Sequence, residues 1–254
     1  MKNDKLCIVI PCYKVENHIL HVLKKVDLHF INHIIIVDDF CPNKSGLKAK
    51  KKFKDKRKFT YIFLKKNLGV GGATLAGIKV ALKKKYRYIV KLDGDDQHDV
   101  KTIKDFYNIF KTMNNIDICK GYRSLDILNQ SGMPLIRLIG NIFMTLIFKI
   151  ISNKYFIKDV TNGLIGFDSK IIKKINLDTI KKNFFFEQDL LFNLIENNAK
   201  IYQVKTKTIY ADEKSNLKPM AVILPFSIYY LQQIFKKLFW WKFLYYLPQA
   251  KREI

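Results

Sequence analysis

Tyr88-Ile89-Val90-Lys91-Leu92-Asp93-Gly94-Asp95-Asp96-Gln97-His98-Asp99 is the stretch that decides the fold. An apolar run rich in β-branched and aromatic residues stops abruptly in acids and one glycine, the pattern of a buried strand that delivers carboxylates to the end of a sheet. The chain carries 46 Lys and Arg against 22 Asp and Glu, yet it concentrates four aspartates here. Hard cations such as Mg²⁺ or Mn²⁺ take oxygen ligands and keep positions open for phosphate oxygens. An Asp-x-Asp turn at a strand end therefore suits a metal held against a nucleotide diphosphate. The competing reading is an acidic surface turn, since Asp and Gly are also ordinary loop residues.

Upstream, Leu6-Cys7-Ile8-Val9-Ile10 is a compact apolar run stopped by Pro11, suited to a central parallel strand. Glu16 opens an amphipathic segment with Ile19, Val22, Leu23 and Val26 at helical spacing. Ile34-Ile35-Ile36-Val37 is a second strand, again ending in acids, Asp38-Asp39. Two such strands separated by a helix make a βαβ unit. The lysine-rich stretch from Lys48 to Lys58 reads as a solvated helix face, or as one that leans on anionic lipid. Thr60 to Leu64 is a third strand, followed by Asn67-Leu68-Gly69-Val70-Gly71-Gly72-Ala73 and a helix. This is not a dinucleotide fingerprint: the third glycine position is Thr74, and the loop follows the third strand rather than the first. Close backbone packing near a nucleotide remains compatible with it. A helix from about Lys101 to Met113 and a strand from Ile116 to Gly121 continue the alternation, gathering polar groups at strand C-terminal ends, where open α/β sheets bind ligands.

The second half differs. Residues 133–151 are apolar but interrupted by Arg137, Asn141 and Lys149, too broken for a transmembrane helix. Asp159 to Gly163 leads into the strand Leu164-Ile165-Gly166-Phe167. Glu187 and Asp189 open a helix to about Asn197, placed either for the macrodipole or to face an active site. Ile201 to Val204 is a further strand. Beyond Leu217 aromatic and aliphatic residues mix with lysines, broken by Pro225. This reads as amphipathic helices lying in a membrane interface, or as a core helix followed by a dimer contact. The division expected is 1–216 for the α/β domain and 217–254 for the interface helices.

The chain has 254 residues, 48% of them hydrophobic, ample for a core. A formal charge of +24 calls for an acidic partner. No recognition-helix, zinc or RNA-binding motif appears, so nucleic acid is not the expected one. Cys7, Cys12, Cys41 and Cys119 are widely spaced and read as reduced thiols. The N-terminus runs straight into a short strand, too short for a signal-peptide core, and a cytoplasmic location is expected.

Taken together, these residues resemble the family 2 glycosyltransferases of the GT-A fold. Within them they are similar to dolichyl- and polyprenyl-phosphate mannose synthases and to bacterial cell-surface glycan glycosyltransferases. Ile8 to Tyr13 followed by Glu16-Asn17 resembles the opening strand and nucleotide loop. Val37-Asp38-Asp39 resembles the second nucleotide element, Asn67 to Ala73 the glycine segment, and Leu92-Asp93-Gly94-Asp95 the metal motif. The resemblance implies a Rossmann-like, mixed, mainly parallel sheet flanked by helices. It implies a donor, a GDP- or UDP-sugar, bound by Pro11, Tyr13, Glu16, Asp38, Asn67, Gly69, Asp93 and Asp95, with Mg²⁺ or Mn²⁺ at Asp93, Asp95 and Gln97. The departures are Lys14, where the family usually has Asn, and Phe40-Cys41, where Gly-Ser is commoner.

Gly121-Tyr122-Arg123 resembles the family's Gly-x-Arg, and Asp159, Thr161, Asn162 and Gly163 the sugar-pocket segment. Glu187 and Asp189 resemble the acidic pair that supplies a general base in many relatives. Arg123, Arg137, Ser215 and Lys218 would meet the acceptor and its phosphate. The implied reaction is metal-dependent inverting transfer to a polyprenyl phosphate, by an enzyme peripheral on the inner face of the cell membrane and held by its anionic surface. The alternative is extension of a lipid-linked glycan with Asp189 or Glu187 as base. A nucleotidyltransferase and a silent membrane scaffold are the rivals from other classes.

Overall fold

The computed structural model describes residues 4–113, 115–123, 135–207 and 225–237. Seven strands form one sheet: β1 (Leu6–Cys12), β2 (His33–Asp38), β3 (Phe59–Phe63), β4 (Tyr88–Lys91), β5 (Ile118–Tyr122), β6 (Ile165–Asp168) and β7 (Ile201–Lys205). Their order is β3-β2-β1-β4-β6-β5-β7. β6 alone runs antiparallel to its neighbours, β4 and β5. This places the segment entering β6 beside the ends where β4 and β5 finish, so Asp159 to Leu164 meets the Asp-x-Asp turn. All seven residues of β1 are buried, as expected of a central strand covered on both faces.

Helices cover both sides. α1 (Ile19–Lys25), α2 (Ser45–Lys52) and α4 (Thr102–Thr112) lie on one face, over Leu6, Ile8, Ile10 and Val90. α4 shows why its sequence docks there: Ile103, Phe106 and Phe110 fall on one stripe and are buried. On the other face lie α3 (Gly69–Lys83), α5 (Leu135–Ser152), α6 (Ser169–Ile172), α7 (Phe186–Glu196) and α8, a helix over residues 225–237. Pro225 is the first described residue of α8.

α8 is fastened by aromatic packing. The Phe185 and Tyr229 rings stack at 4.8 Å, and the Phe148 and Phe192 rings of α5 and α7 meet at 4.2 Å. Tyr230 Oη donates to the Met144 carbonyl of α5 at 3.3 Å. Among the described residues no helix is long and apolar enough to cross a membrane. All four cysteines are free and buried.

Candidate active site

Lys91, the last residue of β4, is 1% exposed and sits among carboxylates. Its ammonium lies 2.7 Å from Asp93 Oδ1, 2.8 Å from Asp93 Oδ2 and 3.0 Å from Glu187 Oε1. His98 Nε2 donates to Asp93 Oδ2 at 3.0 Å, while His98 Nδ1 is buried without a partner. Burial alone would push the Lys91 ammonium down, but Asp93 and Glu187 outweigh it and hold it above its ordinary value. Burial likewise opposes ionisation of Asp93, and Lys91 with His98 more than reverses that, keeping the carboxyl well below its usual range. Gly163 closes over the group: a Cβ there would stand 2.3 Å from Asp93 Oδ2 and 2.7 Å from Lys91 Nζ, so any other residue would have to displace this pair.

Ile165 of β6 lies opposite both Lys91 and Lys120, which puts the two lysines on the same sheet face. Lys120 is fully buried and donates to the Asn162 carbonyl. Burial pushes its ammonium down to about 8, with Arg123 and Lys91 adding to the effect and Asp159 and Glu187 opposing it. Arg123 forks onto Asp159, with Nε to Oδ2 at 2.7 Å and Nη2 to Oδ1 at 3.0 Å, and also reaches Thr161 Oγ1 at 2.5 Å. Burial works against the Asp159 charge, but this bidentate pair holds its carboxyl down at about 2. Asp159 also accepts the Thr161 and Asn162 amides, so one carboxylate shapes the whole entry to β6.

The expected nucleotide residues line the ends of β1 and β2. Pro11 is buried in β1 beside Val37, and Tyr13 is 39% exposed at its exit. Glu16 Oε1 accepts from Asn43 Nδ2 at 2.6 Å, whereas Glu16 Oε2 is buried without a partner. Asp38 is buried, and its two oxygens accept the Cys41 and Gly46 amides at 2.8 and 2.7 Å, tying β2 to α2. Asp39 accepts the Leu68 amide at 2.7 Å, and Asn67 Oδ1 accepts that of Gly69 at 3.1 Å. The glycine segment serves the chain's own packing: a Cβ on Gly71 would lie 2.6 Å from Phe186 Cβ, so its absence lets α7 approach α3. Gly69, at φ 77°, opens α3.

At the acidic turn, Asp95 Oδ1 accepts the Gln97 amide at 3.1 Å. Asp96, at φ 65°, is held by His21 at 2.5 Å and Lys25 at 2.8 Å, which pins the turn to α1. No group of three His, Cys, Asp or Glu with metal-holding geometry occurs among the described residues. The donor set is thus no all-protein cage. It fits a cation of the Mg²⁺ or Mn²⁺ kind, bound through one or two carboxylates and completed by substrate oxygens. Asp93 has an ammonium on both oxygens.

The two candidate bases are separated by the structure. Glu187 faces Lys91 within the strand-end cluster. Asp189, 5% exposed, accepts from Tyr229 Oη at 3.1 Å and from the Lys181 amide at 2.9 Å, both outside that cluster. Ser215 and Lys218 lie outside the described residues, as does the Arg137 side chain. Sequence reading missed Lys91, Lys120 and His98 as members of the site. A signal existed for the lysines: each interrupts an otherwise apolar strand near its end, and a buried lysine requires a partner.

The fold is that of the GT-A glycosyltransferases. It superposes on glucosyl-3-phosphoglycerate synthase from Mycobacterium tuberculosis, solved with Mn²⁺, uridine diphosphate and glucosyl-3-phosphoglycerate. The TM-score is 0.63 at 11% identity, covering 91% of this chain and 79% of that one. The chain belongs to glycosyl transferase family 2, whose profile matches residues 7–175. It is 28% identical over 245 residues to the UDP-N-acetylglucosamine–dolichyl-phosphate N-acetylglucosaminyltransferase of Methanococcus voltae, spanning 89% of this chain and 94% of the relative. It is 22% identical over 208 residues to the polyprenol monophosphomannose synthase of Mycolicibacterium smegmatis, spanning 79% and 76%.

Proposed function

We propose that this glycosyltransferase moves a sugar, with inversion, from a nucleotide-diphosphate sugar to the phosphate of a polyprenyl phosphate at a membrane surface. The observation that carries the acceptor assignment is that both candidate bases are already engaged. Asp189 is enclosed and bonded to Tyr229 and Lys181. Protonating Glu187 would give up its ion pair with the buried Lys91. A sugar hydroxyl needs a base to take its proton. A phosphate monoester, with a second pKa of about 6, is already anionic at neutral pH and needs none.

In this reading Pro11, Tyr13 and Glu16 bind the nucleoside, with Asp38 and Asp39 shaping the loops around it. Asp93, fixed by Lys91 and His98, faces the donor. Asp95 with Gln97 would hold Mg²⁺ or Mn²⁺, which when bound supplies Lewis-acid stabilisation of the leaving diphosphate. Arg123, oriented by Asp159, brings a cation to the side where acceptor phosphate and departing diphosphate meet. Such fixed charge is usually the largest catalytic contribution. Dolichyl phosphate and polyprenol in the names of the two relatives agree with this acceptor class.

Membrane association is supported by two neighbouring helices. Leu135, Ile139, Phe143 and Leu146 on α5 are 51–70% exposed, and Leu231 and Phe235 on α8 are 52% and 68% exposed. Lys237 Nζ of α8 donates to the Ile151 carbonyl of α5 at 2.6 Å, holding the two together. Apolar stripes beside lysines suit an anionic lipid interface.

Asp189→Asn tests the acceptor assignment. With polyprenyl phosphate as acceptor, turnover stays within about tenfold of wild type; a loss of about 10²–10⁴-fold at unchanged thermal midpoint would mark Asp189 as a general base.

A further inference from the structure

We infer that Lys91 is a positioning residue for the transfer reaction: its buried ammonium bridges Asp93 on the donor side to Glu187 at the head of α7, and so sets the spacing of these two carboxylates. The inference rests on the donor site described above. Three parts of the chain converge on this nitrogen. Asp93 belongs to the turn that follows β4, with both oxygens within 2.8 Å. Glu187 comes from the first turn of α7, at 3.0 Å. Gly163, from the entry to β6, packs so closely that a Cβ would stand 2.7 Å from the nitrogen.

Two carboxylates gripping one ammonium stand within roughly 6 Å of each other, where like charges repel strongly unless a cation lies between them. Lys120, on the far side of Ile165, bonds the Asn162 carbonyl instead, so the bridge falls to Lys91. Because Lys91 ends β4 one residue before Leu92 and the acidic turn, a shift of its side chain passes directly to Asp93 and Asp95. Lys91 touches the residues that hold the donor and not the donor's reacting atoms.

The test compares Lys91→Met, Lys91→Arg and the double variant Lys91→Met with Glu187→Gln in the full chain. The readouts are thermal midpoint, binding of UDP and of GDP with Mn²⁺ by calorimetry, and kcat for nucleoside diphosphate release. Lys91→Met is expected to lower kcat about 100-fold or more while nucleotide Kd changes less than about threefold. Lys91→Arg restores the charge and is expected to recover at least about tenfold of the lost rate. Lys91→Met takes the ion pair from Glu187 and leaves Asp93 with His98 alone, and lowers stability as well. In the double variant the thermal midpoint is expected to recover while kcat remains low.

A kcat for Lys91→Met within about threefold of wild type overturns the inference. So does a double variant in which rate returns together with stability, since Lys91 then serves folding alone. Failure of Lys91→Met to fold leaves the double variant to decide. Nucleotide binding needs no acceptor, and without one nucleoside diphosphate release is followed as donor hydrolysis, water forming the new bond to the anomeric carbon. Failure to transfer to polyprenyl phosphate would thus overturn the acceptor assignment and leave the Lys91 comparison standing.

Discussion

Lys14 and Phe40 both adopt φ 55°, the left-handed region that L side chains rarely enter. These are the two positions where the chain departs from the family's usual Asn and Gly, residues that enter that region with little strain. At both positions the departure carries a conformational cost. Lys14→Asn is expected to raise stability by about 0.5–1 kcal/mol, read as an upward shift of the urea midpoint at unchanged slope. A midpoint that stays or falls would mean that Lys14, whose ammonium lies 5.4 Å from the Tyr13 ring, contributes a contact that outweighs the backbone strain.

Asp159 carries the clearest pH dependence. Its folded-state carboxyl titrates at about 2 against an ordinary 3.8, so the unfolded chain takes up its proton first as pH falls. The stability it contributes is present above about 3.8 and is lost as pH falls toward about 2. His33 works in the same direction: buried between the Arg57 carbonyl and Thr60 Oγ1, it is held below its ordinary 6.5, and its cost appears as acid charges the unfolded histidine. Thermal midpoints should fall between pH 4 and pH 2, and less steeply in Asp159→Asn. An equal slope in the variant would remove Asp159 from the acid transition.

Elements were legible in the sequence to different degrees. β1, β2 and β4 are apolar runs, that of β4 interrupted by Lys91, which end in acids or proline, so the strands and the end of the sheet that carries the site follow from pattern. The antiparallel setting of β6 does not follow, because Ile165 to Phe167 has the same composition whichever way the strand runs. That direction brings Gly163 onto Asp93, and it is why the Lys91 bridge was not foreseen. The close approach of Gly71 to Phe186 was hidden similarly, since a glycine near a helix start serves a phosphate or a neighbouring helix equally well.

The exposed stripe of α5 gives a prediction at this scale. Phe143 is 60% exposed, so Phe143→Glu leaves the core intact while removing a large apolar side chain from the proposed lipid-facing surface. Burying such a side chain is worth about 1.5–3 kcal/mol, so partition onto anionic vesicles should drop about tenfold or more at unchanged thermal midpoint. Unchanged partition would exclude α5 from the membrane contact.

At the scale of the whole molecule, one sheet gathers three charged groups at one end. The Asp-x-Asp turn follows β4, Arg123 with Asp159 joins β5 to the entry of β6, and Glu187 arrives from α7 across the lysine bridge. α5 and α8 pack on the α7 side of the sheet, and Tyr229 and Tyr230 of α8 bond Asp189 and Gln188 of α7 at 3.1 and 3.0 Å. A helix from the C-terminal stretch thus shares its packing with the helix that carries Glu187.

Transfer to an already ionised acceptor is tested by following sugar transfer from UDP- and GDP-sugars, with Mn²⁺ and with a chelator, in vesicles carrying either polyprenyl phosphate or a polyprenyl-diphosphate sugar. Metal-dependent transfer to the bare phosphate is expected. Transfer to the sugar-bearing lipid alone would contradict it and return a proton-accepting role to Glu187 or Asp189.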